Sequence, residues 1–203
     1  MPFVRPAALA LLIALAACAE QDAGEPADAP PPSAADAPSP APATAADPRL
    51  VSREGVGPVT ADTVFDRHAI AALFPGAEVE TAFLHEGEDT VPIITVFGDT
   101  VGTLEIQGAP DGRVAQVIVS GGPFRGPQGE AILAPWPDLG LTAADCVMGE
   151  GRFADAPVCR RADAPNVALV LSVPNWRGPG LPDATILNGR AALREFVWTR
   201  PSA

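Results

Sequence analysis

Residues 19–48 have a composition that prevents them from folding on their own, so any folded domain is confined to the residues that follow. The segment contains 8 prolines and 11 alanines, and it has no basic, aromatic or branched aliphatic side chain. Such a composition offers too little apolar surface to offset the entropy lost when a chain is ordered. We therefore expect a disordered linker over residues 18–48. We expect one folded domain over residues 49–203, a length that suits a single hydrophobic core.

The residues before the linker are typical of a bacterial export signal. Ala7–Ala17 is an unbroken apolar run of 11 residues, and Arg5 precedes it. A membrane-spanning helix needs about 20 apolar residues, so this run fits the core of a signal peptide instead. Its end, Leu15–Cys18, resembles a lipobox, which implies removal of residues 1–17 and acyl chains on Cys18. The alternative is an ordinary signal peptide followed by a chance cysteine.

The residue after Cys18 bears on which membrane holds the protein. Lipoprotein sorting uses Asp at this position for retention in the inner membrane, whereas this chain has Ala19. We therefore expect an anchor on the periplasmic face of the outer membrane, with the lipid on Cys18 as the membrane contact. The Pro-rich linker extends to at most about 90 Å. It is either a spacer that holds the domain off the membrane or a tail without a selected length.

The charge of the chain excludes some classes of partner. The formal net charge is −12, lysine is absent, and residues 49–203 carry 12 arginines against 19 acidic residues. An acidic domain without a basic run is a poor match for nucleic acid or for an anionic lipid surface. We therefore expect no nucleic-acid partner, and an envelope protein or the cell wall as the partner of the domain.

Two cysteines remain in the chain if Cys18 carries lipid. An exported protein folds in an oxidising compartment, where Cys146 and Cys159 are expected to form a disulfide bond. Closing this loop contributes roughly 3 kcal/mol to stability. The alternatives are two buried thiols or a metal pair, but no histidine or further cysteine lies near them in the sequence, which disfavours zinc. We predict neither a metal site nor a cofactor.

The folded part has the pattern of an antiparallel β domain. Val79, Thr81 and Phe83 alternate with other residues, as in a strand with one buried face. Pro110–Gly112 is a strong hairpin signal, which predicts that the segments before and after it pair side by side. Val167–Val173 is the most apolar of the expected strands, which is typical of a central strand. We expect a mainly β domain, an antiparallel sheet or sandwich with one or two short helices.

Two classes of function remain open for such a domain. Asp66 predicts the N-cap of a short helix, which places His68 in its first turn. His85 lies in a charged segment whose spacing matches neither a calcium loop nor a zinc helix. No motif of a zinc protease or of a serine or cysteine hydrolase occurs. We therefore expect a non-enzymatic binding or structural role without catalytic residues, and a hydrolase acting on a cell-wall or lipid substrate is the alternative.

Two loops rich in glycine and proline, residues 121–129 and 175–182, are candidates for a binding surface. Each pairs an aromatic residue with an arginine, two residue types that dominate the energetics of interfaces. The candidate surface residues are Phe124, Arg125, Trp176 and Arg177. The alternative is that the two aromatic rings fold back and cap the ends of the sheet.

Several turn motifs and aromatic residues of the folded part form a distinctive set: Gly55–Thr60, Phe65–Asp66, Leu73–Gly76, Gly178–Pro182 and Phe196–Arg200. In these motifs the chain resembles a known family, the sigma-E-regulated (RpoE-regulated) outer-membrane lipoproteins of enterobacteria. The resemblance implies a lipid-anchored, mostly β periplasmic domain of unknown biochemical function. It brings no catalytic residue to this chain, which departs from the family in its long Pro/Ala-rich linker and its lack of lysine.

Overall fold

The computed structural model describes residues 47–86 and 89–202, which form two antiparallel sheets and several short helices. The small sheet pairs β1 (Gly55–Val56) with β2 (Val59–Thr60). The strands of the large sheet are β3 (Glu78–Glu86), β4 (Asp89–Gly98), β5 (Gly102–Gly108), β6 (Val114–Val119), β7 (Cys146–Met148), β8 (Pro157–Arg161), β9 (Ala164–Ser172) and β10 (Ala192–Thr199). The α-helices are α1 (Arg67–Leu73) and α2 (Ala184–Arg190), and the 3₁₀ helices are Trp136–Leu139, Ala143–Asp145 and Gly151–Phe153. The predicted fold class, mainly β with antiparallel strands and short helices, is confirmed.

The large sheet has the strand order β3-β4-β5-β6-β10-β9-β8-β7, and every neighbouring pair is antiparallel. The last strand of the chain, β10, therefore joins one run of hairpins to the other. The hairpin predicted at Pro110–Gly112 is confirmed, because Leu104 on β5 lies opposite Val119 on β6. Gly112 takes a φ of +76°, which a glycine adopts without steric cost.

Both faces of the large sheet carry buried apolar residues, but one face carries many more than the other. The face that we call the inner face carries the main core, and the N-terminal segment, α1 and α2 pack against it. The opposite face, which we call the outer face, carries a smaller apolar cluster that includes Ile118, Val170 and Val197. Strand β9 is apolar at successive positions because it contributes Leu169 to the first cluster and Val170 to the second. A strand covered on both faces loses the usual alternation of polar and apolar residues.

Helix α1 begins as the sequence predicts. The side chain of Asp66 accepts hydrogen bonds from the backbone N–H groups of His68 and Ala69, each at 2.9 Å. These bonds lower the pKa of the Asp66 carboxyl group below its usual value, and the bond from Ala69 contributes most. Ile70 is fully buried, so the cap holds one apolar side of a short helix against the inner face of the sheet.

Strand β3 departs from the expectation of one buried face over Val79, Thr81 and Phe83. Val79 is half-buried, and its carbonyl group accepts a 3.5 Å hydrogen bond from Arg67 of α1. Thr81 is exposed, and Phe83 keeps 64% of its surface exposed. The expectation was wrong for Thr81 and Phe83, because β3 is an edge strand whose cover by α1 lies near Val79.

The predicted disulfide bond joins Cys146 and Cys159 in the structure. The two residues lie directly opposite each other in the β7–β8 pair, at the edge of the large sheet. The signal peptide over residues 1–17, Cys18 and the linker up to residue 46 lie outside the described residues. The lipid anchor, the domain boundaries and the disorder of the linker therefore stay predictions.

Candidate functional site

The loop over residues 121–129 turns its aromatic residue inward. Phe124 is 1% exposed and belongs to the main core, so its assignment to a binding surface was wrong. The backbone of Arg125 explains this orientation: its N–H donates to the carbonyl of Arg49, and its own carbonyl accepts from Val51, both at 2.8 Å. This pairing fixes the loop as an extended segment, in which neighbouring side chains point to opposite sides. Arg125 is accordingly exposed.

The loop over residues 175–182 keeps its aromatic residue nearer to the surface. Trp176 is half-buried, and its indole N–H donates to the carbonyl of Gly180 at 3.3 Å. The ring also packs on Gly178, where an added Cβ would lie 2.4 Å from the Trp176 ring. Arg177 is exposed. Within the described ranges no hydrogen bond or shared cavity joins Trp176 or Arg177 to Arg125, so these residues are not part of one continuous site.

The two histidines lie on different elements. His68 is exposed in the first turn of α1, and His85 is exposed on β3. The Nδ1 atom of His85 lies 3.2 Å from the hydroxyl group of Thr90 on the neighbouring strand. Among the described residues, neither imidazole ring has a hydrogen bond to a carboxylate or to a serine hydroxyl. The geometry therefore offers no support for a catalytic arrangement at either histidine.

A groove on the outer face of the sheet is the strongest candidate for a binding site. It runs across β8, β9, β10 and β6, has a volume of about 310 Å³, and is named the outer-face groove below. Its floor consists of four small apolar side chains, Val158, Ala168, Val170 and Val197. Val158 lies opposite Val170, and Ala168 lies opposite Val197, so the four form a compact apolar surface across three strands. The floor residues are themselves well covered, since Val158 and Val197 are only 7% and 6% exposed.

One wall of the outer-face groove is the segment that follows β7, and Phe153 is its apolar residue. The guanidinium groups of Arg152 and Arg194 lie 5.3 and 5.9 Å from the centroid of the Phe153 ring. Arg152 also donates two hydrogen bonds to the carboxylate of Glu105 on β5, at 2.6 and 3.2 Å. A bidentate arginine–carboxylate pair fixes orientation as well as distance. The wall is therefore held in a defined position over the sheet.

The two ends of the outer-face groove carry opposite charges. Glu150 lines one end of the groove. It comes two residues after Met148, which lies opposite Pro157 at the beginning of β8. Arg160 lies three residues further along β8, a distance of about 10 Å in an extended strand. The Arg160 side chain is exposed, and it has no hydrogen bond or ion pair with the residues that the structure describes. The groove is thus acidic at the Glu150 end and basic at the Arg160 end.

A second cavity of about 440 Å³ continues the groove beyond Arg160. Four residues line both cavities, Arg160, Ala168, Val197 and Thr199. The floor of one cavity is therefore continuous with the floor of the other. The amide of Asn166, on β9, also lines the second cavity, and it donates to the carbonyl of Thr199 at 3.0 Å.

A second arginine, Arg200, borders this extension but already has a partner. Its Nη1 atom lies 2.8 Å from the carboxylate of Asp111 in the β5–β6 turn. The pKa of the Asp111 carboxyl group is lowered below its usual value, chiefly by a hydrogen bond from the backbone N–H of Arg113 and then by one from the Arg200 side chain. The pair therefore stays charged near neutral pH, and it leaves Arg160 as the cation of the groove without a partner in the described structure.

A buried ion pair on another part of the domain has a structural explanation. Glu130 is 6% exposed, and its carboxylate accepts a hydrogen bond from Arg161 Nε at 2.7 Å. The other carboxylate oxygen accepts from the backbone N–H of Gln128 at 2.8 Å, and Arg161 also donates to the carbonyl of Leu139. Buried charges persist when their hydrogen bonds are satisfied in this way. The pair fastens the segment before β7 to the end of β8.

Sequence reasoning missed the outer-face groove, although one signal for it was present. Val167–Leu171 is apolar at both odd and even positions, which indicates cover on both faces of that strand. This signal did not identify the strands that complete the groove, because β6 pairs with β10 although β7, β8 and β9 lie between them in the chain.

Two other features do not occur within the described residues. No helix in these ranges has the length and apolar character needed to cross a membrane. Likewise, no three side chains of His, Cys, Asp or Glu lie close enough within them to hold a metal ion.

The chain matches a family model described as a protein of unknown function, DUF1131, over residues 39–200. No curated protein matches the chain. Among solved structures it is similar to the crystal structure of the uncharacterized protein yfeY from Escherichia coli, with a TM-score of 0.62 and 24% identity. That similarity covers 74% of this chain and 99% of the other, and at this identity it shows the fold alone. Because the family model covers most of its length, the chain belongs to the DUF1131 family of proteins of unknown function.

Proposed function

We propose that this protein is a non-enzymatic binding protein of the bacterial envelope, anchored through lipid on Cys18 to the periplasmic face of the outer membrane. The observation that carries the binding role is the outer-face groove. Its volume of about 310 Å³ lies at the lower limit of ligand sites, which begin near 300 Å³, and it combines an apolar floor with the polar groups of Gln116, Arg160 and Thr199. Phe153 and its two arginines fix one wall, so the site is largely formed before a ligand arrives.

The anchor is supported by the sequence. Leu15–Cys18 ends an apolar run in the order of a lipobox, and the turn motifs of the domain resemble outer-membrane lipoproteins. Two or more acyl chains hold a protein stably on a membrane. The linker over residues 18–48 then allows the domain to reach a partner away from the membrane surface.

The composition of the groove favours binding over hydrolysis. Glu150 is the carboxylate among its described lining residues, and histidine, cysteine and serine do not occur there. A hydrolase needs a nucleophile or an activated water beside a general acid or base. Glu150 is exposed at one end of the groove and has no such neighbour in the described lining. The hydrolase alternative therefore has no observation in its favour.

Photo-crosslinking in cells tests the proposal. A photo-crosslinking amino acid in place of Gln116, which lines the groove, is expected to give a discrete covalent adduct in the intact-mass spectrum. The same amino acid in place of Asp99, an exposed residue of the β4–β5 turn, is the matched control. We expect no adduct at Asp99. Equal labelling at the two positions, or none at Gln116, would contradict a binding role for the groove.

A further inference from the structure

We infer that the free edge of β3 is a docking site for an extended, basic segment of a partner protein, which adds one strand to the large sheet. The site, named the β3 edge below, consists of the backbone N–H and C=O groups of Thr81, Phe83 and His85. It lies apart from the outer-face groove, since no described residue of β3 lines that groove. The inference therefore goes beyond the proposed function and can fail independently of it.

Two contacts show which backbone groups of β3 point away from the sheet. The carbonyl of Glu80 lies 3.5 Å from the hydroxyl of Thr95, directly opposite on β4, so Glu80 faces β4. The carbonyl of Val79 accepts from Arg67 of α1 at 3.5 Å, so Val79 faces away from β4. Residues of an antiparallel strand alternate between these two directions. The odd-numbered residues that follow therefore face away from β4 as well: Thr81, Phe83 and His85.

The β3 edge has no hydrogen-bond partner within the ranges that the structure describes. None of the backbone hydrogen bonds formed outside the paired strands involves Thr81, Phe83 or His85. Helix α1 covers only the Val79 end of the strand. The open stretch, Thr81–His85, is about 17 Å long at the usual rise of a strand. Unpaired N–H and C=O groups along such a stretch are a template for a further strand.

Most of the features that protect other sheet edges do not occur in β3. It has nine residues, contains no proline and pairs with β4 in a register without a bulge. The opposite edge strand, β7, has only three residues and is flanked by the 3₁₀ helices Ala143–Asp145 and Gly151–Phe153. Natural edges are made unsuitable for pairing by shortness, proline, bulges or charge. A long, regular and open edge is the form in which extended segments are bound.

The charges beside the β3 edge determine the chemistry of the partner. Glu78 and Glu80 are exposed, and neither forms an ion pair with a described residue. Both lie on the face of the sheet opposite to Val79, because Val79 packs against the main core and strand side chains alternate. Opposite charges on neighbouring strands are stabilising, and like charges are destabilising. The added strand should therefore carry lysine or arginine at two alternate positions.

Phe83 provides an apolar contact for the other face of the added strand. Its side chain is 64% exposed, and it lies opposite Pro92 of β4, which is also exposed. An apolar residue placed directly opposite Phe83 would pack against its ring, as aromatic and β-branched side chains do across strands. The partner segment thus alternates, with apolar residues on the Phe83 face and basic residues on the Glu80 face.

Two other occupants fit the β3 edge less well. A second copy of this chain would bring a domain with 12 arginines against 19 acidic residues, so its net charge is repelled. The linker over residues 19–48 has acidic but no basic side chains, and its prolines have no N–H to donate. A basic segment of another protein is therefore the favoured occupant.

Amide hydrogen exchange and calorimetry on the unlipidated mature chain, residues 18–203 with Cys18→Ser, test the inference. The probe is the peptide Thr-Val-Thr-Val-Lys-Val-Lys, N-methylated on its threonines and lysines so that only the N–H groups of its valines can pair. One control peptide is N-methylated on the valines instead, and the other has glutamate in place of lysine. The chain variants are Thr81→Pro and Glu80→Lys. Asp155→Lys, at an exposed position outside β3, is the matched control for charge reversal.

We expect the probe to slow amide exchange at Thr81 and Phe83, and to leave Ala82 and Leu84 unchanged because these face β4. The valine-methylated peptide should not bind, and the glutamate peptide should bind about tenfold more weakly or worse. Glu80→Lys should weaken binding of the probe by about threefold or more, and Asp155→Lys should change it by less than about twofold. Thr81→Pro removes an N–H that faces away from β4, so it should abolish binding while the sheet keeps its own hydrogen bonds.

Three results would overturn the inference. The first is exchange at Thr81 and Phe83 that stays fast in excess probe. The second is equal binding of the probe and either control peptide. The third is a dimer of the chain alone that protects the same amides, which would assign the β3 edge to a second copy. The in-cell adduct at Gln116 tests the groove separately, so either site can fail without the other.

Discussion

Cys146 on β7 lies directly opposite Cys159 on β8, and the disulfide bond between them holds the edge strand that forms one side of the outer-face groove. Their neighbours Val147 and Val158 both line the groove. Because strand side chains alternate, the cysteines face the main core while these valines face the groove. A covalent bond on one face of the sheet thus fixes apolar residues on the other.

Removing the disulfide bond is expected to destabilise the domain and to loosen this side of the groove. The double substitution Cys146→Ala and Cys159→Ala should lower the free energy of unfolding by roughly 3 kcal/mol, as expected for a loop of this length. Urea denaturation with and without reductant measures the change. The unchanged chain in reductant should match the double variant, and equal stability in oxidising and reducing buffer would contradict the role of the bond.

Phe124 and Arg125 are neighbours with opposite expected responses to truncation. Phe124→Ala removes a ring that is 1% exposed, and it should cost about 3–5 kcal/mol of stability. Arg125→Ala changes an exposed side chain and should cost at most about 0.5 kcal/mol. Thermal denaturation of the two variants distinguishes core from surface in this loop. A small loss for Phe124→Ala would mean that the ring does not pack in the core.

The buried Glu130–Arg161 pair should be sensitive to the loss of one partner. Arg161→Ala leaves the Glu130 carboxylate buried without its cation, and we expect a loss of about 3–5 kcal/mol. The exposed pair of Arg113 and Asp62 is the control, where Arg113→Ala should cost at most about 1 kcal/mol. Denaturant titrations of both variants give the comparison. Equal losses would show that burial of the Glu130 pair has no energetic consequence.

The proposed lipid on Cys18 implies a definite mass for the mature chain and a definite processing step. Intact-mass analysis of protein extracted from membranes should give a chain that begins at Cys18 and carries acyl groups. Cys18→Ala removes the acceptor thiol and should leave an unprocessed precursor in the same extract. A free Cys18 thiol in the membrane-extracted protein would contradict the anchor.

The parts of the fold that were predictable depend on residues close together in sequence. Pro110–Gly112 specifies its hairpin, and Asp66 caps α1, because turns and caps are decided by neighbouring residues. Cys146 and Cys159 were likewise identified as partners, 13 positions apart.

The parts that were not predictable depend on contacts between distant residues. Phe124 is buried because Arg49 and Val51, more than 70 positions earlier in the chain, pair with the backbone of Arg125. The groove also depends on Gln116 on β6, which lies opposite Thr199 on β10, more than 80 positions later in the chain. No local pattern specifies which distant strand completes a sheet. The composition of β9 predicted a central strand but not the groove on one of its faces.

The most direct test of the binding role combines the Gln116 crosslinker with a filled groove in living cells. In the otherwise unchanged chain, the adduct at Gln116 should appear in the intact-mass spectrum. In the chain that also carries Thr199→Trp, the adduct should disappear, although the protein keeps its melting temperature and its place in the membrane fraction. An adduct of undiminished intensity in that double variant would contradict the account, because the captured molecule would then not occupy the groove.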